Sequence, residues 1–135
     1  MRDNKGFTII ELLIVVSIIG LMMTVTLPMS FDMYARYKAS LKAQELMVVI
    51  SDLRRESFLY SENTVLSANN NVLNVNGRNR GFDDIRVKID KPIVFFKNGT
   101  TSGGFVNLII GDYAFALHIQ APRGDMSLEN GLKSS

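Results

Sequence analysis

The chain has 135 residues, 47% of them hydrophobic and 21% charged, with a formal net charge of +2. That length leaves room for one long helix and one small domain, and so weak a charge does not by itself mark a nucleic-acid binder. The absence of cysteine excludes disulfides and thiolate metal sites, so any folded domain must hold together by packing.

The first element is a polar head, Met1-Arg2-Asp3-Asn4-Lys5, closed by Gly6. A long apolar run follows, in which no residue from Leu12 through Phe31 carries a charge. A helix needs ~20 such residues to cross the hydrocarbon core, and only a helix satisfies its own backbone there. At the entrance stands a lone carboxylate, Glu11. Such a group is costly near hydrocarbon and therefore calls for a function and a partner. An ordinary secretory signal does not fit, because its cleavage site follows the apolar run. Here the run ends in Leu27-Pro28-Met29-Ser30 with no small-x-small exit. Arg2 and Lys5 precede the span and Asp32 follows it, which favours a cytoplasmic N-terminus and an exported C-terminal domain.

The run Gly6-Phe7-Thr8-Ile9-Ile10-Glu11-Leu12-Leu13-Ile14-Val15 closely resembles the processing site and N-terminal helix of type IV pilins and of the pseudopilins of type II secretion. The resemblance covers residues 1–31 and implies a leader, 1–6, followed by a transmembrane and assembly helix, 7–31. It implies cleavage between Gly6 and Phe7 by a prepilin peptidase on the cytoplasmic side, with N-methylation of Phe7 by the same enzyme. Glu11 stands where the family has its assembly residue, and Pro28 where it has a proline at the end of the apolar run. The physics of assembly can be stated. A new amine on Phe7 carries a charge that an apolar medium penalises, and Glu11 of an adjacent subunit relieves that penalty when helices stack in staggered register. Such a pair reports register more than it adds stability.

Past Pro28 the helix is expected to continue with a kink, since proline removes one hydrogen bond and crowds the preceding turn. No proline or glycine occurs from Asp32 to Tyr60. Leu46, Val49, Ile50, Leu53 and Ser57 recur at helical spacing, and Tyr34, Tyr37 and Leu41 are read as extending that stripe toward the membrane. Ser61-Glu62-Asn63-Thr64 ends the helix. Strands are expected over 64–66 and 72–75 around Asn69-Asn70-Asn71, then a loop over 76–81. Ile85–Ile89 alternates, with Ile85, Val87 and Ile89 facing inward. Ile93–Phe96 is a further strand. Phe105–Ile110 and Tyr113–Ile119 make a hairpin through Gly111-Asp112, with Tyr113, Phe115, Leu117 and Ile119 on one face. Pro122-Arg123-Gly124-Asp125 turns into a last strand, 126–128, and Asn130 onward reads as a loose tail.

The fold class is therefore α+β: a long N-terminal helix, its first half transmembrane and its second half covering the apolar face of a small antiparallel sheet. The exported domain spans 32–135, with an amphipathic helix at 32–60 and the sheet at 64–128. The stretch Ile93-Val94-Phe95-Phe96-Lys97-Asn98-Gly99-Thr100-Thr101-Ser102-Gly103-Gly104-Phe105-Val106-Asn107-Leu108, with the strand after it, is similar to the C-terminal region of the GspH/FimT group of minor pseudopilins and minor pilins. That group's glycine and basic residues after the final turn appear here only as Arg123-Gly124-Asp125, with an acid intruding.

Catalytic readings fail. His118 is the only histidine and falls opposite the apolar face of its strand, so neither a zinc site nor acid–base chemistry is built on it. The 97–104 stretch lacks the glycine–lysine–hydroxyl order of a phosphate loop. Asp83, Asp84, Asp90 and Asp112 match no calcium-loop spacing. No metal, cofactor or enzymatic activity is expected. The resemblance implies a minor pseudopilin or minor pilin in the bacterial inner membrane, single-pass. Its partners would be the prepilin peptidase, other pilin or pseudopilin subunits, and exported cargo, with a filament as the assembled form. The alternative is a DNA-binding minor pilin of an uptake pilus, with Arg78, Arg80, Arg86, Lys88 and Lys91 as a basic strip for phosphates. Against it, acids interleave with those residues and no exposed aromatic platform is evident.

Overall fold

The computed structural model describes residues 6–129 and 133. The leader residues Met1–Lys5, with Arg2 and Lys5, lie outside the described residues, as does the expected tail apart from Lys133. The elements are one helix, α1 (Ile9–Leu59), and eight strands: β1 (Thr64–Asn69), β2 (Val72–Val75), β3 (Arg78–Arg80), β4 (Ile85–Lys88), β5 (Ile93–Phe95), β6 (Gly104–Ile110), β7 (Tyr113–Ile119) and β8 (Met126–Glu129). The chain divides into two compact units, Met1–Arg36 and Tyr37–Ser135.

In the first unit α1 runs through Pro28 without interruption, as expected. Its side chains are exposed along the whole described length. The hydroxyls do not stay unsatisfied within this apolar stretch. Ser17 donates to the Leu13 carbonyl at 2.7 Å, Thr24 to Leu21 at 2.7 Å, Thr26 to Met22 at 2.8 Å and Ser30 to Thr26 at 2.9 Å. Turning the hydroxyl back onto the preceding turn is how serine and threonine are carried in a segment that has no water to bond. The helix is long and apolar enough to cross a membrane.

In the second unit, Ala39, Ala43, Leu46, Ile50, Leu53 and Ser57 form the buried face of α1. Tyr34, Tyr37 and Leu41 are not on it: Tyr37 is 62% and Leu41 40% exposed. Helical geometry explains the correction. At ~100° per residue, Tyr37 lies about half a turn round the helix from Leu46, and Leu41 about 140° from it. The alanines supply the true continuation, and their small side chains let the helix axis come close.

The helix ends on a device that the sequence rarely builds without glycine. Glu62 N–H donates to the Ser57 carbonyl at 3.1 Å and Ser61 N–H to the Phe58 carbonyl at 3.3 Å, with Ser61 at φ 54°. This is a Schellman motif with serine in the left-handed position. Below it the Ser57 hydroxyl donates to the Leu53 carbonyl at 3.0 Å and pairs with the Thr64 hydroxyl, so that the buried polar groups at the helix–strand junction satisfy one another.

The strands form two antiparallel four-stranded sheets rather than the single sheet expected, in the orders β3-β2-β1-β5 and β4-β6-β7-β8. Local chemistry sets the first. Asn70-Asn71 and Asn76-Gly77 all take positive φ, the backbone of tight two-residue hairpins. The second of these hairpins turns the expected 76–81 loop into strand β3, paired Val75↔Arg78 through Leu73↔Arg80. The second sheet is anchored on the expected β6–β7 hairpin, registered from Gly104↔Ile119 to Ile110↔Tyr113. Gly103 is required where the chain enters β6: a Cβ there would sit 2.8 Å from the Ala121 nitrogen, at φ 69°. Both sheets send residues into one core. Leu66, Leu73, Ile93 and Phe95 of the first and Val87, Val106, Leu108, Phe115, Leu117 and Ile119 of the second cluster with Leu46, Ile50 and Leu53 of the helix.

Candidate processing and assembly site

The start of α1 is built by Thr8. Its carbonyl accepts from the Leu12 N–H at 3.1 Å and its hydroxyl accepts from the Glu11 N–H at 3.3 Å. Thr8 is therefore the N-cap and Glu11 the third helical residue, the spacing of a capping box. The Glu11 carboxylate stands in the first turn, where the aligned peptide dipoles leave partial positive charge. Glu11 thus has a role in the isolated chain besides any role toward a neighbour. The order Thr8-Ile9-Ile10-Glu11 carries this signal in the sequence.

Ahead of the cap, Phe7 is 84% exposed and a Cβ on Gly6 would meet nothing within 4 Å. Neither residue makes a hydrogen bond among the described residues. The scissile pair thus lies outside the helix. From Ile9 to Phe31 the large apolar side chains stand exposed, and Glu11 is the only ionisable group among them.

The basic residues lie on two different sheets. Arg78 and Arg80 are on β3, at the edge of the first sheet, where they line a cleft of about 470 Å³ together with Glu56, Tyr60 and Glu62. Acids share that cleft, so it has no net positive character. Arg86 and Lys88 are on β4, at an edge of the second sheet, both pointing away from the core, and Lys91 is in the exposed connection to β5. Lys88 is registered opposite Asn107, and on the same outer face, two residues along β6, stands Phe105. Phe105 is 54% exposed and stacks on His118, its cross-strand partner, with ring centroids 4.4 Å apart and planes 10° from parallel. The outer sheet face therefore does carry an aromatic platform, contrary to the sequence reading. The platform arises from the hairpin register, which sets Phe105 directly opposite His118. His118 does point away from the apolar face, as expected. Among the described residues no group of three or more histidine or acidic side chains converges as a metal site would require.

Residues 1–27 match the family model described as the prokaryotic N-terminal methylation motif. The chain carries that motif. It is also similar to a fimbrial protein of Moraxella nonliquefaciens, 30% identical in an alignment 109 positions long that covers 78% of this chain. The match spans 64% of the length of that relative. No solved structure matches the chain. The motif and the fimbrial likeness both agree with the pilin resemblance of the N-terminal stretch.

Proposed function

We propose that this chain is a minor pilin or pseudopilin of the GspH/FimT kind, cut after Gly6, methylated on Phe7, and assembled through α1 into a short filament at the inner membrane. One observation carries the reading. Over Ile9–Phe31 the helix exposes its apolar side chains on every face, with one carboxylate, Glu11, at its start. An apolar surface of that extent is not left in water. Lipid covers it before assembly and neighbouring helices cover it after. Cleavage releases an amine at Phe7, four residues before Glu11, and the acid of an adjacent subunit is its natural counter-charge once both leave water. The membrane-distal half of α1 keeps an apolar outer stripe, Tyr37, Leu41 and Val48, opposite its sheet-facing side, which extends the helix-to-helix contact. Single-pass topology with a cytoplasmic N-terminus, contacts with other subunits and with exported cargo, and a non-enzymatic role belong to the same reading. The test is the intact mass and N-terminal sequence of the membrane-extracted protein. The mature chain should begin at a methylated Phe7. Retention of Met1 in assembled filaments, or a cut beyond Pro28, would refute the reading.

The Phe105–His118 stack favours a second reading, a DNA-binding minor pilin. Stacking on an aromatic ring tolerates any base, and Arg86 and Lys88 on the same outer face offer phosphate contacts. Arg78 and Arg80, facing Glu56 and Glu62 across their cleft, add little to it.

A further inference from the structure

We propose that Thr8 is a positioning residue for processing: by capping α1 it keeps the Gly6–Phe7 peptide out of the helix and open to hydrolysis. The inference rests on the processing reading above. The reaction adds water across one bond. Hydroxide goes to the Gly6 carbonyl carbon, a proton to the Phe7 nitrogen, and the C–N bond breaks. That carbon must be approached from above its plane, in an extended chain whose carbonyl is not engaged in a helix. In this structure the requirement is met before any enzyme acts, since Gly6 and Phe7 make no hydrogen bond among the described residues and the first helical carbonyl acceptor is Thr8.

The margin is two residues. Glycine is itself an acceptable N-cap, nearly as good as threonine and far better than valine or alanine. If residue 8 loses its hydroxyl, the next capping position upstream is Gly6. A helix begun there takes Phe7 into its first turn and engages the Gly6 carbonyl with the Ile10 N–H. The scissile carbonyl then becomes a helix acceptor, and the peptidase must unwind a turn to reach it. Thr8 acts through backbone register, not by touching the reacting atoms.

The experiment uses the full chain in proteoliposomes with a prepilin peptidase, comparing the wild type with Thr8→Val, Thr8→Ser and Thr8→Asn. Valine has threonine's shape without the hydroxyl, whereas asparagine has a different shape and caps well. Cleavage of Thr8→Val should be slower by about fivefold, equivalent to the ~1 kcal/mol that a cap is worth. Thr8→Ser and Thr8→Asn should be cut within about twofold of the wild type. Amide hydrogen exchange should show new protection at Ile10 in Thr8→Val only, a signature that side-chain recognition by the enzyme would not produce. Wild-type rates for Thr8→Val with slow cutting of Thr8→Asn would overturn the proposal and show that the peptidase reads side-chain shape. Slow cutting of Thr8→Val without new protection at Ile10 would overturn it as well. A wild type left uncut at Gly6–Phe7 would overturn the processing reading itself, and the proposal with it.

Discussion

Replacing Glu11 with glutamine separates the first-turn role that the structure gives this residue from the assembly role that the proposed function gives it. In the isolated chain the Glu11 N–H donates to the Thr8 hydroxyl and its carboxylate sits in the first turn of α1. Glutamine keeps that backbone N–H, so the only loss there is the charge–dipole attraction, about 0.3–1 kcal/mol. Under the proposed function, the same substitution in an assembled fibre would remove one partner of a buried ion pair and strand the Phe7 amine, at a cost of about 3–5 kcal/mol. The difference between the two states corresponds to a fall in incorporation on the order of a hundredfold or more. The assay is pull-down of the processed Glu11→Gln protein with the other subunits, in cells lacking the wild-type copy, beside its N-terminal mass. Cleavage should be normal and incorporation strongly reduced. Normal incorporation of Glu11→Gln together with loss in Glu11→Val would refute the ion-pair reasoning and leave Glu11 as a helix-capping residue only.

Three further outcomes follow from the packing and the surface. Leu46→Ala, at a fully buried position, should destabilise the sheet domain by about 2–5 kcal/mol, whereas Leu41→Ala on the outer stripe should stay within about 0.5 kcal/mol; urea unfolding of the detergent-solubilised chain followed by circular dichroism reads both. Equal losses would mean that the stripes are misassigned. Ser61→Gly should raise stability by about 1 kcal/mol in the same titration, because it relieves a non-glycine residue from φ 54°; no change would show that Ser61 is unstrained there. Under the DNA-binding reading, reversing Arg86 and Lys88 to glutamate should abolish single-strand binding at near-physiological salt, and Phe105→Ala should weaken it by ~1–3 kcal/mol, while Arg78 and Arg80 reversals should matter less. Binding that ignores all of these would remove the second reading.

The apolar N-terminal stretch, Gly6–Phe31, was legible from residue order alone, because what marks it is local. An uncharged run long enough to span lipid, a single acid at its entrance and a glycine before an aromatic need no tertiary partner to be recognised. The Thr8 cap was equally local and could have been read from Thr8 and Glu11. The hairpin turns were also visible, since asparagine and glycine at 70–71 and 76–77 are the residues that tolerate positive φ. Other features were settled only by packing. A helix apolar on two faces offers two stripes, and the sequence could not say that Ala39 and Ala43, rather than Tyr37 and Leu41, meet the sheets. Close approach favours the smaller side chains, and that is a property of the surface they meet. Strand β3, Arg78-Asn79-Arg80, has no apolar alternation and exists because β2 offers it a backbone ladder. The division into two sheets depends on which strands find each other across long separations in the chain, as Leu66 finds Ile93. The stack of Phe105 on His118 exists because the register of one hairpin places them side by side, and neither residue carries a mark of it alone.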